Sequence, residues 1–265
     1  LNEIKKVYII DIRSAADFDS GHIANANNVK LADIVTHIKT VDMTKYDKVA
    51  IVCYTGQTSG FAVSILRLLG YSKVFSLKWG MCSWNEFFAS RWNTAIVNGN
   101  AYASQFTATP SPKNAVGAMP VLNTGKTTGA EILEARVATL LTEGFGPASV
   151  TNKAVFDNLS GYYIVNYWPA AQYTDPGHIP GAVQYEPKQT LKLAADLKTL
   201  PTNKPIAVYC YTGQTSAFLA VYLRLLGYDA KSLLYGANGM IYDKMVEKGM
   251  TTFKASEIMG YDYVQ

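Results

Sequence analysis

Cysteine is scarce in this chain: three residues in 265. That is too few for the disulfide framework of a small secreted domain, and a pair of reactive thiols is at least as good a reading as a bridge. Histidine is equally scarce. His22, His37 and His178 have no tight spacing with one another or with the cysteines, so no zinc site is expected. Charge is thin: 24 Lys and Arg against 20 Asp and Glu leave a net +4. This balance is too mild for a nucleic-acid surface, and no basic run interleaves with aromatics as a single-strand groove requires. No run of about eighteen apolar residues is present, so no membrane-spanning helix is expected. No leader is visible. The chain begins at Leu1 close before an apolar strand, a start compatible with a removed export signal, which leaves the compartment open between cytoplasm and periplasm.

What is abundant is core material. Apolar residues make up 49% and aromatics 12% of the chain, enough for two cores of ordinary size. The heptapeptide CYTGQTS stands at Cys53–Ser59 and again, unchanged, at Cys210–Ser216. Around it, VAIVCYTGQTSGFAVSILRLLGY (49–71) aligns with IAVYCYTGQTSAFLAVYLRLLGY (206–228), and GHIANA (21–26) with GHIPGA (177–182). A third echo pairs VFSLKWGM (74–81) with SLLYGANGM (232–240), which puts two additional residues between cysteine and Gly-Met in the second copy. Three matched blocks in one order mean a duplicated domain.

Each copy alternates strand-like and helix-like runs. VYIIDI (7–12) and YYIVNY (162–167) predict a first strand, followed by a turn ending in GHI. The runs 31–38 and 190–197 predict an amphipathic helix. A second strand runs into the heptapeptide, a helix follows to Gly70 or Gly227, and a third strand leads to a Gly-rich turn. This order predicts an α/β fold: two tandem domains, each a mostly parallel sheet with helices on both faces. Domain 1 is expected over 1–96 and is short at its N-terminus. Residues 97–129, rich in Gly, Pro, Ser, Thr and Asn, are expected to be a surface linker. Domain 2 is expected over 130–265, opening with an amphipathic helix at 130–142 and ending in a tail, 251–265, without a partner in the first repeat.

Cys53 and Cys210 each end a buried strand immediately before a turn and a helix. Such a loop can curl so that its N–H groups, and those of the helix start, converge on the sulfur. That arrangement favours an anion: a thiolate, a persulfide or a bound oxyanion. Gly56 and Gly213 permit the curl. Thr55, Thr58, Ser59, Thr212, Thr215 and Ser216 offer hydroxyls for hydrogen bonds or helix capping. A lone cysteine at a strand end is ordinarily a small core residue, but packing alone has no need of a repeated Tyr54-Thr55-Gly56-Gln57-Thr58-Ser59 and Tyr211-Thr212-Gly213-Gln214-Thr215-Ser216. His22 and His178, in GHI turns, are read as ties between ring nitrogens and backbone rather than as general bases. Cys82 is read as a partly buried spectator. Trp79, Trp84 and Tyr235 lie where pocket walls would stand, and are read as aromatic packing.

These motifs resemble the rhodanese superfamily, in particular its tandem-domain sulfurtransferases of the thiosulfate or 3-mercaptopyruvate type. The resemblance rests on Asp11-Ile-Arg13, Asp17-Phe18 and Gly21-His22-Ile23, on GHIPGA at 177–182, and on the two six-residue loops led by cysteine with glycine three residues on. It implies Cys53 and Cys210 as catalytic nucleophiles that carry sulfane sulfur as a persulfide, and Asp11 and Arg13 as a structural brace. It implies a small anionic sulfur donor, or a persulfide, and a thiol or cyanide acceptor, including a protein thiol, with no metal or organic cofactor needed. The departures are an uncharged loop, Thr58 or Thr215 at the sixth position, and Asn166 and Trp168 where the first repeat has Asp11 and Arg13. Two working sites, or one working site and one relay, both stay open, as does a non-catalytic binding, sulfur-carrier or redox-sensing module. The phosphatase form of the fold requires a longer loop ending in arginine, which is absent.

Overall fold

A computed structural model of the chain describes residues 6–265; residues 1–5, with which the first repeat begins, lie outside the described residues. The first sheet has β1 (Val7–Asp11), β2 (Asn27–Asn28), β3 (Lys48–Val52) and β4 (Val74–Ser76), all parallel in the order β2-β1-β3-β4. The second has β5 (Ser149–Val150), β6 (Tyr163–Asn166), β7 (Val183–Gln184), β8 (Ile206–Tyr209) and β9 (Ala230–Leu233), parallel in the order β5-β9-β8-β6-β7. Alternation along each strand feeds two apolar layers. Ile10 and Ile51 face a layer with Phe61 and Ile65, whereas Ile9 and Val52 face one with Met81 and Phe88. In the second sheet Val165 and Val208 pack with Leu219 and Leu223, and Ile164 and Tyr209 with Met240 and Met245.

The two halves share a core. The helices Gln57–Leu68 and Gln214–Leu225, each following a heptapeptide cysteine, pack against one another. The Ser64 hydroxyl donates to the Phe218 carbonyl at 3.0 Å. Helix Gly129–Glu143 starts at a reciprocal capping box between Thr128 and Glu131. Its Val137, Leu140 and Leu141 join the apolar layer of the first sheet, so the helix bridges both halves.

The predicted helix at 190–197 is not formed. The stretch is a run of turns ending in a short 3-10 helix, Leu197–Thr199. Leu191 and Leu197 are buried while Leu193 is exposed, so the apolar residues do not share one helical face. The Asp196 amide donates to the Thr190 carbonyl, and Lys113 of the 97–129 segment pairs with the Asp196 carboxylate at 2.7 Å. Tertiary pinning overrides local helix preference here.

Both segments that follow a repeat return over the other half. Residues 102–119 lie along the second half: Thr107 forms an antiparallel bridge with His178, and the Gly117 amide donates to the Lys198 carbonyl. Residues 255–265 follow the second repeat but lie along the first: Val264 bridges His22, the Tyr261 amide donates to Trp84, and Tyr263 packs on Phe87 and Phe88. Among the described residues no helix is long and apolar enough to cross a membrane.

Candidate active site

Each heptapeptide starts directly after the central strand β3 or β8 and ends in the first turn of the following helix. Gly56 and Gly213 take left-handed φ of 81° and 76° as helix N-caps. This turns the helix start back over the cysteine. Cys53 and Cys210 are 5% and 3% exposed. The Ser59 amide donates to Cys53 Sγ at 3.2 Å and the Ser216 amide to Cys210 Sγ at 3.3 Å. The expected convergence of several N–H groups thus reduces to one amide per sulfur. The amides of Gln57, Thr58 and Thr215 donate to no protein acceptor among the described residues.

A hydroxyl relay stands behind each sulfur. Cys53 Sγ lies 3.4 Å from Ser59 Oγ, which is 2.7 Å from Ser76 Oγ, which reaches the Gly56 carbonyl at 3.4 Å. Cys210 Sγ, Ser216 Oγ, Ser232 Oγ and the Gly213 carbonyl follow the same path at 3.5, 2.8 and 3.1 Å. Hydroxyls rotate, so Ser59 and Ser216 can accept from a thiol or donate to a thiolate. Sequence reading missed Ser76 and Ser232. The signal was a serine at the third strand of each repeat, hidden by aligning Gly80-Met81 with Gly239-Met240. The structure corrects that alignment. Trp79 and Tyr235 both adopt left-handed φ, near 64° and 61°, and Gly80 matches Gly236. Met81 and Ala237 donate their amides to the Cys53 and Cys210 carbonyls, and Cys82 and Asn238 to those of Tyr54 and Tyr211.

The remaining hydroxyls divide. Thr55 Oγ1 accepts from Gln57 Nε2 at 3.1 Å, and Thr212 Oγ1 from the Gln214 amide at 3.2 Å. Thr58 is half-buried and Thr215 exposed, with neither hydroxyl bonded among the described residues.

The mouths of the loops differ. In the first, the buried pair Asp11–Arg13 closes at 2.7 Å, and Arg13 also donates to the Gly21 carbonyl. The Arg13 guanidinium lies 5.1 Å from the Tyr54 ring centre and Arg91 lies 3.8 Å from it. The Tyr54 hydroxyl donates to Asp17 at 2.9 Å. Burial works against ionised Asp17, but the hydroxyls of Ser14 and Tyr54, with Arg91 and Arg13, outweigh it and hold the carboxyl below its ordinary range. In the second, Trp168 stacks on Tyr211 at 5.6 Å, whose hydroxyl donates to Gln172. Asn166 donates to the Tyr209 hydroxyl.

Neither GHI histidine reaches a cysteine loop. His22 Nδ1 pairs with the Phe18 carbonyl and His178 Nδ1 with that of Tyr173, each ring stacked on the same residue's aromatic ring. His37 bonds the Tyr8 hydroxyl. All three cysteines are free thiols. Cys82 is fully buried with its S–H on the Phe88 carbonyl, and burial pushes its thiol up to about 11. Trp79 packs edge-on against Trp92 and Phe253 in an aromatic cluster that also takes in Tyr235. Trp84 instead anchors the tail through the Asp262 carbonyl. No cluster of His, Cys, Asp and Glu suited to a metal occurs among the described residues.

The family model described as Rhodanese-like domain matches residues 1–87 and again 157–240. A thiosulfate sulfurtransferase GlpE from Shewanella oneidensis is 35% identical over 86 residues, 32% of this chain and 83% of the relative. One from Pseudomonas fluorescens is 30% identical over 93 residues, 35% of this chain and 80% of the relative. Each alignment has about the length of one repeat. The solved Escherichia coli protein SseA, titled a 3-mercaptopyruvate sulfotransferase, is 20% identical over 85% of this chain and 90% of its own; the TM-score of 0.31 gives that likeness no weight.

Proposed function

This chain belongs to the rhodanese-like domain family, and we propose that it is a sulfurtransferase whose Cys53 and Cys210 carry a sulfane sulfur from a small anionic donor to a thiophilic acceptor. The observation that carries this reading is the pair of superimposable sulfur environments: one helix amide on each Sγ, a two-serine relay behind it, and unengaged amides beside it. None of this is required of a cysteine that merely fills space.

With thiosulfate as donor, the thiolate attacks the outer sulfur. An Sγ–S bond forms, the bond to the sulfonate sulfur breaks, and sulfite leaves with its electron pair. An acceptor thiolate or cyanide then attacks the outer sulfur of the persulfide, and the electron pair returns to the cysteine, so there is no net redox change. The Ser59 or Ser216 amide and hydroxyl stabilise the sulfur anion at the start and end of the cycle. The free amides of Gln57 and Thr58 suit the leaving oxyanion. Arg91, over Tyr54, supplies at the first mouth the positive charge that the loop itself lacks. The first site therefore favours anionic donors such as thiosulfate or 3-mercaptopyruvate. The second, with Trp168 and Gln172 against Tyr211 and the Glu186 carboxylate nearby, disfavours anions and suits uncharged donors. The test is turnover of thiosulfate with cyanide, read as thiocyanate, in the wild type and in the double variant Cys53→Ser/Cys210→Ser. Turnover lost in the double variant supports the reading; equal rates in both, or no turnover with any donor, oppose it and favour a binding or sensing module.

A further inference from the structure

We propose that Gln57 and Gln214 are crossed positioning residues, each holding the cysteine loop of the opposite domain. Gln214 Oε1 accepts from the Trp79 amide at 3.0 Å, and Gln57 Oε1 from the Tyr235 amide at 2.8 Å. Trp79 opens the tight turn whose next amides clamp the Cys53 and Tyr54 carbonyls, at 2.8 and 3.0 Å. Tyr235 opens the turn that clamps those of Cys210 and Tyr211, both at 3.0 Å. Each glutamine thus grips the turn under the other domain's sulfur, and two left-handed aromatic residues are held by a partner from across the interface.

The fourth residue of the loop is fitted to this crossing. A side chain on Gly56 would collide with Gln214 Oε1, and one on Gly213 with Gln57 Oε1. The glycines therefore serve twice, for left-handed φ and as the gap through which the other domain's glutamine passes. The helices behind them also approach closely, since a Cβ on Gly60 would stand 3.0 Å from the Gln214 carbonyl. A loop that only held sulfur would need the glycine for its left-handed φ but would not need the glutamine to recur in both copies. A pair of loops that brace each other needs both, twice.

The two grips are not equal. Gln57 Nε2 also donates to Thr55 of its own loop at 3.1 Å, whereas the Gln214 amide that donates to Thr212 is backbone and survives substitution. Gln214 is therefore the cleaner probe. Replacing it with methionine keeps its volume and deletes the acceptor.

The crossed role is part of the catalytic machinery only if the sulfurtransferase reading holds, but it is measured without sulfur transfer. Full-length protein is alkylated with iodoacetamide across about pH 6 to about pH 9, and Cys53 and Cys210 are quantified separately by peptide mass spectrometry. In Gln214→Met the pH profile of Cys53, in the other domain, should move and its rate at neutral pH should change about fivefold, with Cys210 held near wild type. In Gln57→Met the Cys210 profile should move, with a smaller change at Cys53 through Thr55. A Gln214→Met profile that moves only at Cys210, or at neither cysteine, overturns the proposal. Amide hydrogen exchange in the unmodified protein needs no substitution: slow exchange at Trp79 and Tyr235 supports the crossing, and exchange as fast as at exposed amides refutes it. A crossed shift in a protein that carries no sulfur would sink the enzyme and leave the coupling standing.

Discussion

Tyr54 and Tyr211 hold the same place in identical loops, yet arginines and an aspartate ring the first, whereas neutral groups touch the second and the Glu186 carboxylate lies near it. Arg13, Arg91 and Asp17 surround Tyr54; Trp168 and Gln172 surround Tyr211. Beneath the tyrosines the sulfur, its amide and the serine pair agree to within about a tenth of an ångström in each distance. The duplication has kept what handles sulfur and changed what meets the ligand. Trp168 replaces Arg13 against the tyrosine face, so the packing role survives while the charge is lost.

That contrast predicts a series of outcomes. The largest is chemical: Cys53→Ser with Cys210→Ser should lower sulfur transfer by roughly a thousandfold or more, and the single variants should divide the activity by donor, with thiosulfate turnover falling mainly in Cys53→Ser. Next is the brace. Asp11→Asn gives the first site the amide of the second while leaving Arg13 buried without its partner; urea unfolding should show a loss of about 3 kcal/mol. Asn166→Asp would bury a carboxylate beside Trp168, where no arginine waits, and should also destabilise.

Gly80→Ala and Gly236→Ala should each cost about 2–3 kcal/mol by the same measurement. The added methyl meets the carbonyl of Cys53 or Cys210 at a left-handed φ, and similar losses at both positions would verify the corrected alignment. Arg91→Ala should raise KM for thiosulfate several-fold at the first site, less so at high salt, and leave transfer from a neutral persulfide unchanged. The smallest effect is acid titration. Asp17 is held below the ordinary carboxylate range, so its contribution is present above the unfolded pKa and is lost as pH falls through the lowered folded value. NMR of the Tyr54 ring should therefore report a transition below about pH 4, larger than any at Tyr211, whose hydrogen-bond partner is an amide and whose nearby carboxylate, Glu186, makes no bond to it.

Much of this was legible in the residues. The repeat placed both sheets, both cysteine loops and both helices after them, because a seven-residue identity between apolar runs has few structural meanings. The Asp11–Arg13 brace followed from the family resemblance, and the backbone-tied histidines from their place in the GHI turns. What could not be read was whatever depends on meeting across the molecule. The helix at 190–197 did not form because Lys113 and the 102–119 segment fix that stretch from outside. Arg91 reaches Tyr54 from a helix start 37 residues away, and no motif links them. Ser76 and Ser232 were hidden by an alignment that matched Gly-Met pairs, where the left-handed turns at Trp79 and Tyr235 set the true register. Gln57 and Gln214 stood in plain view, but their partners lie in the opposite repeat.

Site-resolved mass spectrometry after incubation with thiosulfate, 3-mercaptopyruvate or a small persulfide goes straight to the duplicated sulfur site. The expected result is a gain of about 32 Da on the peptides of Cys53 and Cys210, thiosulfate loading Cys53 first, Cys82 unmodified, and the added mass lost on exposure to cyanide. Cysteines that remain open to alkylation but gain no sulfur from any of the three donors would contradict it.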